Sequence, residues 1–281
     1  MVVQGDDALF PRVVKAAIRG CFKSFGIEVR RPDSRGSVVG ALRQARSAGL
    51  RPKSVIDVGA AFGDFASWCH NVFPEARYLL VEPLEEYEPF LNRVLKTISG
   101  AELVQVAAAQ GRGDVVIHVH PDLVGSSLYL EQEDSTVNGV PRTVPALSLD
   151  EITRERNLEA PYLVKIDVQG AELDLLAGGE ETLRKTEYLL LEVSLFEFFK
   201  GGAQFCEVIA FMKSRGFVVY EILGLQYRPL DNALSQVDLA FVNDTGLFRK
   251  YHYYASSGQR KEQNERFELQ LKARARTLRR K

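Results

Sequence analysis

The stretch SVIDVGAAFGDF, residues 54–65, decides the fold. Its first half is a short apolar run carrying one acid, Asp57. Its second half sets Gly59 and Gly63 around Ala60-Ala61-Phe62 and opens into a helix-like segment from about Asp64. A buried strand that ends in glycines and passes into a helix is the first unit of an α/β fold, because glycine turns the chain where other residues would strain. The pattern recurs downstream. The runs YLLVE (78–82), ELVQVAAA (102–109), YLVKIDV (162–168) and YLLLEVS (188–194) alternate with helix-like stretches at 64–73, 84–98, 171–184 and 203–215. Nearly continuous apolar runs suit strands covered on both faces by crossover helices. The expected fold is therefore α/β, a doubly wound and mostly parallel sheet. FVVYEIL (217–223) and QVDLAFVN (236–243) close it as an antiparallel pair at one side. Residues 113–149, with VVIHVH (115–120) and TVPALSL, predict additional strands and a long loop inserted between the third and fourth parallel strands.

Around this body the composition is ordinary for a globular protein. Of 281 residues, 46% are hydrophobic and 26% charged, which excludes a wholly disordered chain, a collagen-like repeat and a disulfide knot. No run of 18 apolar residues predicts a spanning helix, and MVVQGDDALFPRVVK does not read as a secretory signal. Cys21, Cys69 and Cys206 are far apart, so neither a zinc site nor a disulfide framework is expected, and a cytoplasmic location fits. The net charge of −1 conceals an asymmetry: residues 12–35 carry +5, residues 260–281 carry +6, and the remainder −12. Residues 1–53 are expected to be an N-terminal helical extension, 54–250 the main domain and 251–281 a basic helical tail. An amphipathic helix over 12–25 is expected to cap the domain or pack in a homo-oligomer, with peripheral contact to an anionic membrane as the second reading. A further helix is expected over 37–48. The tail reads as a solvated helix without the interleaved aromatics of a nucleic-acid surface.

Ligands of doubly wound sheets bind at the carboxyl ends of the strands. The strand ends bring Asp57, Glu82, Asp167 and Glu192 to that edge. Each acid alone also suits a helix cap or a solvated loop, but four together favour a site that wants negative charge and hydrogen-bond acceptors. Glu82, 25 residues after Asp57, is placed to accept the hydroxyls of a ribose. The dinucleotide fingerprint is G-x-G-x-x-G, whereas this chain has G-x-x-x-G, with Ala61 where the second glycine belongs. S-adenosylmethionine, cationic and without phosphate, is therefore preferred over a nicotinamide cofactor. An oxidoreductase and a non-catalytic cofactor-binding protein are the alternatives.

The segments DVGAAFGDF (57–65), VEP (81–83), GSSL (125–128), LSLDEI (147–152), VKIDVQGAELDLLAGG (164–179) and LLLEVSLFEFF (189–199) resemble, in order, those of the FkbM-type methyltransferases. The resemblance implies a class I, Rossmann-like methyltransferase that uses S-adenosylmethionine. It also implies O-methylation of a sugar or natural-product hydroxyl, on a small-molecule or glycan acceptor. By that resemblance Asp57, Gly59, Ala60, Phe62 and Gly63 would line the methionine part of the cofactor. Glu82 and Pro83 would hold the ribose. Ala107 and Ala108, where many relatives carry Asn-Ala, would lie beside the adenine. Asp167, Gln169 and Glu172 would sit by the methyl group and acceptor, with Ser126, Ser127 and Glu192 facing the same pocket. The expected general base is Asp167, with His120 or His118 as second choices. Asp167, Glu192 and Gln169 also raise a divalent metal such as magnesium as an option. Cys69 and His70 read as packing residues. Phe196, Phe198 and Phe199 read as core or lid, with stacking on a sugar as a second reading.

Overall fold

The computed structural model describes residues 35–133 and 137–278, so the helix expected over 12–25 lies outside the described residues. Helix α1 (Val38–Ser47) starts at Ser37, whose Oγ accepts from the Gly40 amide. That bond satisfies one of the N–H groups a helix start leaves open. Ala41, Leu42 and Ala45 are fully buried, so α1 packs into the core of the main sheet although it precedes the first strand.

The strands are β1 (Ser54–Val58), β2 (Arg77–Val81), β3 (Glu102–Val104), β4 (Ala107–Ala109), β5 (Gly113–Val119), β6 (Val140–Ser148), β7 (Tyr162–Ile166), β8 (Thr186–Ser194), β9 (Phe217–Tyr227) and β10 (Leu234–Asn243). Seven form the main sheet in the order β3-β2-β1-β7-β8-β10-β9. β1, β2, β3, β7 and β8 run parallel, and β10 is antiparallel to both neighbours. The chain order reverses between β1 and β7, which opens a crevice at their carboxyl ends. The further helices are α2 (Asp64–His70), α3 (Glu88–Thr97), α4 (Leu149–Glu155), α5 (Glu172–Ala177), α6 (Glu180–Arg184), α7 (Phe205–Ser214) and α8 (Ser257–Leu278). None of the described helices is long and apolar enough to cross a membrane.

Two expectations are corrected. ELVQVAAA is not one strand: β3 stays in the main sheet, while β4 joins β6 and β5 in a separate three-stranded sheet. Both halves are apolar because each is covered, Val104 in one sheet and Ala107 to Ala109 in the other, so hydropathy hides the change of sheet. The expected helix over 171–184 is two helices, α5 and α6, separated at Gly178-Gly179.

Strand alternation sorts the core into two layers. Val55, Leu163, Leu190 and Ala240 point to the face covered by α1 and α2. Ile56, Val164, Leu189 and Leu239 point to the opposite face, against α4 to α7. Each such side chain contributes about 1.5–3 kcal/mol by leaving water. Two residues further toward the carboxyl ends, the first face turns polar. Asp57 aligns with Lys165 across β1 and β7, and Glu192 aligns with Asp238 across β8 and β10. The period of two that buries the apolar core therefore also lines up a polar row at its end.

Candidate functional site

Two cavities meet at these strand ends. The first, about 260 Å³, is bounded by the β1 loop, by Glu82, Pro83, Leu84 and Tyr87, by Val106 to Ala108, and by Ser126 and Ser127 of the inserted segment. The second, also about 260 Å³, is bounded by Trp68 of α2, Lys165, Glu192, Gln226 and Asp238. Gly59, Ala61, Phe62 and Asp167 line both. A ligand in the first cavity can therefore meet a ligand in the second at Asp167.

The β1 loop is held by its neighbours. Gly59 has φ +72°, and a Cβ there would lie 1.8 Å from the Asp167 carbonyl oxygen. The glycine is thus required by the close approach of the β7 end, a reason that spacing alone does not disclose. Ala61 has φ +44°, and its amide donates to Glu82 Oε2 at 2.9 Å. Glu82 Oε1 accepts from the Leu84 amide at 3.0 Å. Burial raises the Glu82 carboxyl above the ordinary range, opposed by these two amides. The remaining lone pairs of this carboxylate are free to accept the hydroxyls of a ribose. Val106, Ala107 and Ala108 offer a flat apolar wall that suits an adenine.

Asp57 is 1% exposed and lines neither cavity, nor does Gly63. Both Asp57 oxygens lack a hydrogen-bond donor, and burial pushes its carboxyl up to about 6, against the pull of Lys165. Lys165 Nζ lies 3.8 Å from Asp57 Oδ1, 3.1 Å from Asp167 Oδ2 and 3.0 Å from the Gly59 carbonyl, to which it donates. Burial alone would lower the Lys165 pKa; Asp167 and Asp57 outweigh it and leave the pKa raised, so the side chain is cationic. Among the described residues no three His, Cys, Asp or Glu side chains are grouped to hold a metal ion. The acids that suggested magnesium are instead joined by an ammonium and by amides. The donor set does not fit a divalent cation.

Asp167 Oδ1 accepts from Gln169 Nε2 at 2.8 Å, and the same nitrogen donates to Glu192 Oε2 at 3.1 Å. Glu192 also accepts from Gln226 and Gln236 at 2.8 and 2.9 Å. Burial, with Asp167 and Asp238 nearby, pushes the Glu192 carboxyl up to about 8. Burial raises Asp238 to about 6. Gln169 itself has φ +52° and is tied to the insertion, because Ser127 Oγ donates to its carbonyl at 2.5 Å.

Several expected residues stand elsewhere. Glu172 lines neither cavity: it is 6% exposed, its Oε1 accepts from the Gly170 amide at 3.0 Å, and burial raises it to about 7. It shapes the loop below Asp167 rather than facing a ligand. His120 also lines neither cavity. Its Nδ1 lies 2.8 Å from Asp122 Oδ1 and its backbone amide donates to Ser126 Oγ at 3.0 Å, so it braces the 120–126 turn. His118 pairs through its backbone with Ser127. None of Phe196, Phe198 and Phe199 lines either of these two cavities; Phe199 is buried against Gly170, and the Arg228 guanidinium stacks on Phe196 at 3.8 Å. Ala60 lines only the second cavity and Pro83 only the first. Cys69 is fully buried and His70 packs edge-on against Tyr78, as expected of packing residues.

Lys165, Trp68, Gln226 and Asp238 were not among the expected site residues. A signal existed for two of them: a lysine inside YLVKIDV and an aspartate inside QVDLAFVN are charges in otherwise buried strands. Trp68 and Gln226 carry no such mark.

A parallel sheet with one reversed strand beside its edge is the fold of the class I S-adenosylmethionine-dependent methyltransferases. The methyltransferase FkbM domain model matches residues 57–219, and the chain belongs to that family. It is 30% identical over 192 residues to the 2-O-methyltransferase NoeI of Sinorhizobium fredii, covering 64% of this chain and 78% of that one. It is 25% identical over 183 residues to Methyltransferase 1 of Beauveria bassiana, covering 59% of this chain and 72% of the other. The Aeropyrum pernix fibrillarin structure with bound S-adenosyl-L-methionine aligns with 72% of this chain and 74% of its own, at 15% identity and a TM-score of 0.43.

Proposed function

We propose that this methyltransferase acts on oxygen, moving the methyl group of S-adenosylmethionine to a hydroxyl of a sugar or natural product. The observation that carries the reading is Asp167, whose side chain borders both cavities and is oriented by Lys165 and Gln169. The cofactor supplies an activated methyl group. Glu82 would take its ribose hydroxyls, and Val106 to Ala108 its adenine. The chain itself holds the acceptor oxygen in line, which in favourable cases contributes about 7–11 kcal/mol to lowering a barrier. An aliphatic hydroxyl attacks well only as its proton leaves. Asp167 is the carboxylate within reach of both cavities, and it would receive that proton, an effect of about a hundred- to ten-thousand-fold. The name of the S. fredii relative, a 2-O-methyltransferase, supports oxygen as the acceptor atom.

Calorimetric titration with S-adenosylhomocysteine and, separately, NAD tests the cofactor half of this reading. Micromolar binding of the first and none of the second is expected. Binding of NAD alone would overturn it.

A further inference from the structure

The second cavity begins at Gly59, Ala60 and Phe62, which the family resemblance gives to the methionine part of the cofactor, and continues past them to Trp68, Gln226 and Asp238, which have no assigned ligand. Its floor is the polar row of the sheet: the Gln169 amide joins Asp167 to Glu192, Asp238 stands beside Glu192, and Lys165 backs the row at Asp167. Its wall carries Trp68, a residue that is 43% exposed and that stacks on no other aromatic among the described residues. Asp238 is most informative. Gly224 has φ +53°, and a Cβ there would lie 2.0 Å from Asp238 Oδ2, so the strand leaves out a side chain to make room for this carboxylate. Yet Asp238 receives no hydrogen bond from any described residue, although its partner across the strands, Glu192, takes three. Below the floor, Asp57 is a further buried carboxylate without a donor. A cavity wall with unfilled acceptors and an open aromatic face is complementary to a ligand that brings hydroxyl donors and an apolar ring face.

We propose that the second cavity is the acceptor seat, with Trp68, Gln226 and Asp238 as its specificity-determining residues, and that it selects uncharged polyhydroxylated rings over anionic ones. The inference rests on the methyltransferase reading above and assigns where and by what chemistry the acceptor is chosen. Hydroxyl groups fill the acceptors of Asp238, Gln226 offers its amide, and Trp68 covers a ring face. A carboxylate or phosphate on the acceptor meets Asp167 and Asp238 at close range, where like charges repel strongly in a partly dry site.

The test uses the full chain saturated with S-adenosylhomocysteine. Its binding is measured first by calorimetry; failure at this step would reject the cofactor reading, not the acceptor seat alone. Saturation-transfer NMR then compares the methyl glycosides of glucose, galactose and mannose with those of the corresponding uronic acids. At least one neutral glycoside is expected to bind, with its uronate at least tenfold weaker. Trp68→Ala and Asp238→Asn are each expected to weaken that binding at least fivefold while affinity for S-adenosylhomocysteine stays within twofold, which also shows that the variants are folded. Absence of binding by all three neutral glycosides overturns the proposal. So does a uronate that binds as well as its neutral parent, or a folded variant that binds like the parent protein.

Discussion

At the scale of single residues, the site depends on two contacts between neighbouring strand ends. Gly59 permits the β7 end to close on the β1 loop, and a methyl group at that position has nowhere to go. Gly59→Ala is expected to destabilise the protein by about 3 kcal/mol or more, combining a backbone clash with a positive φ. For a domain of this size that is a fall of about 6–12 °C in thermal midpoint, read by a melting curve. Asp167 is the proton acceptor in the proposed reaction. Asp167→Asn keeps the shape and the Gln169 contact but loses the base. Turnover is expected to fall by about 10²–10⁴-fold, with affinity for S-adenosylhomocysteine within about threefold. Unchanged turnover would remove Asp167 from that role. The sequence displayed both residues, since a glycine after a strand and an acid at a strand end are local marks. It did not display what Gly59 avoids, because the Asp167 carbonyl is more than a hundred residues away in the chain.

At the scale of elements, the inserted β4-β5-β6 sheet walls the first cavity, and the segment between β5 and β6 is pinned to the Gln169 loop. Ser127 Oγ donates to the Gln169 carbonyl and accepts from the Tyr129 amide at 3.0 Å. Ser127 is 2% exposed, and its removal takes a hydrogen-bond partner from the Gln169 carbonyl and the Tyr129 amide, both on half-buried residues. Ser127→Ala is expected to cost about 1–3 kcal/mol of stability. The loosened Gln169 loop should also weaken S-adenosylhomocysteine by several-fold in a calorimetric titration. A variant with parental stability and affinity would show that the insertion and the loop are independent. Alternating hydropathy in VVIHVH announced strands here. It could not say that β4, three alanines continuous with an apolar run, pairs with them and not with the main sheet, because burial looks alike in either partner.

At the scale of the whole molecule, folding gathers acids that would rather be in water. Burial holds Asp57 and Asp238 up to about 6, Glu172 to about 7 and Glu192 to about 8. All lie above the unfolded range of about 3.9–4.3. Between those limits the folded protein binds more protons than the unfolded chain. Each acid therefore favours the fold below about pH 4, and that contribution is lost as pH rises through its folded value. The thermal midpoint is expected to fall by several degrees between about pH 6 and pH 8.5. In Glu192→Gln the decline above about pH 7 should be shallower. A midpoint that rises over this span, or a slope the substitution leaves unaltered, would contradict the burial argument.

The sequence by itself determined the order of strands and helices, the class of fold, the acid-bearing strand ends and the family, because periodicity, glycines and ordered motifs are local properties of the chain. Only the tertiary structure decided which of those acids reach a cavity. Glu82, Asp167 and Glu192 do, whereas Asp57 and Glu172 are buried behind the wall. It also decided that Lys165 and Asp238 join the same row. Their alignment with Asp57 and Glu192 follows from strand register between segments up to about fifty residues apart in one case and over a hundred in the other. Register is set by the packing of both sheet faces at once, and no short window of sequence contains it.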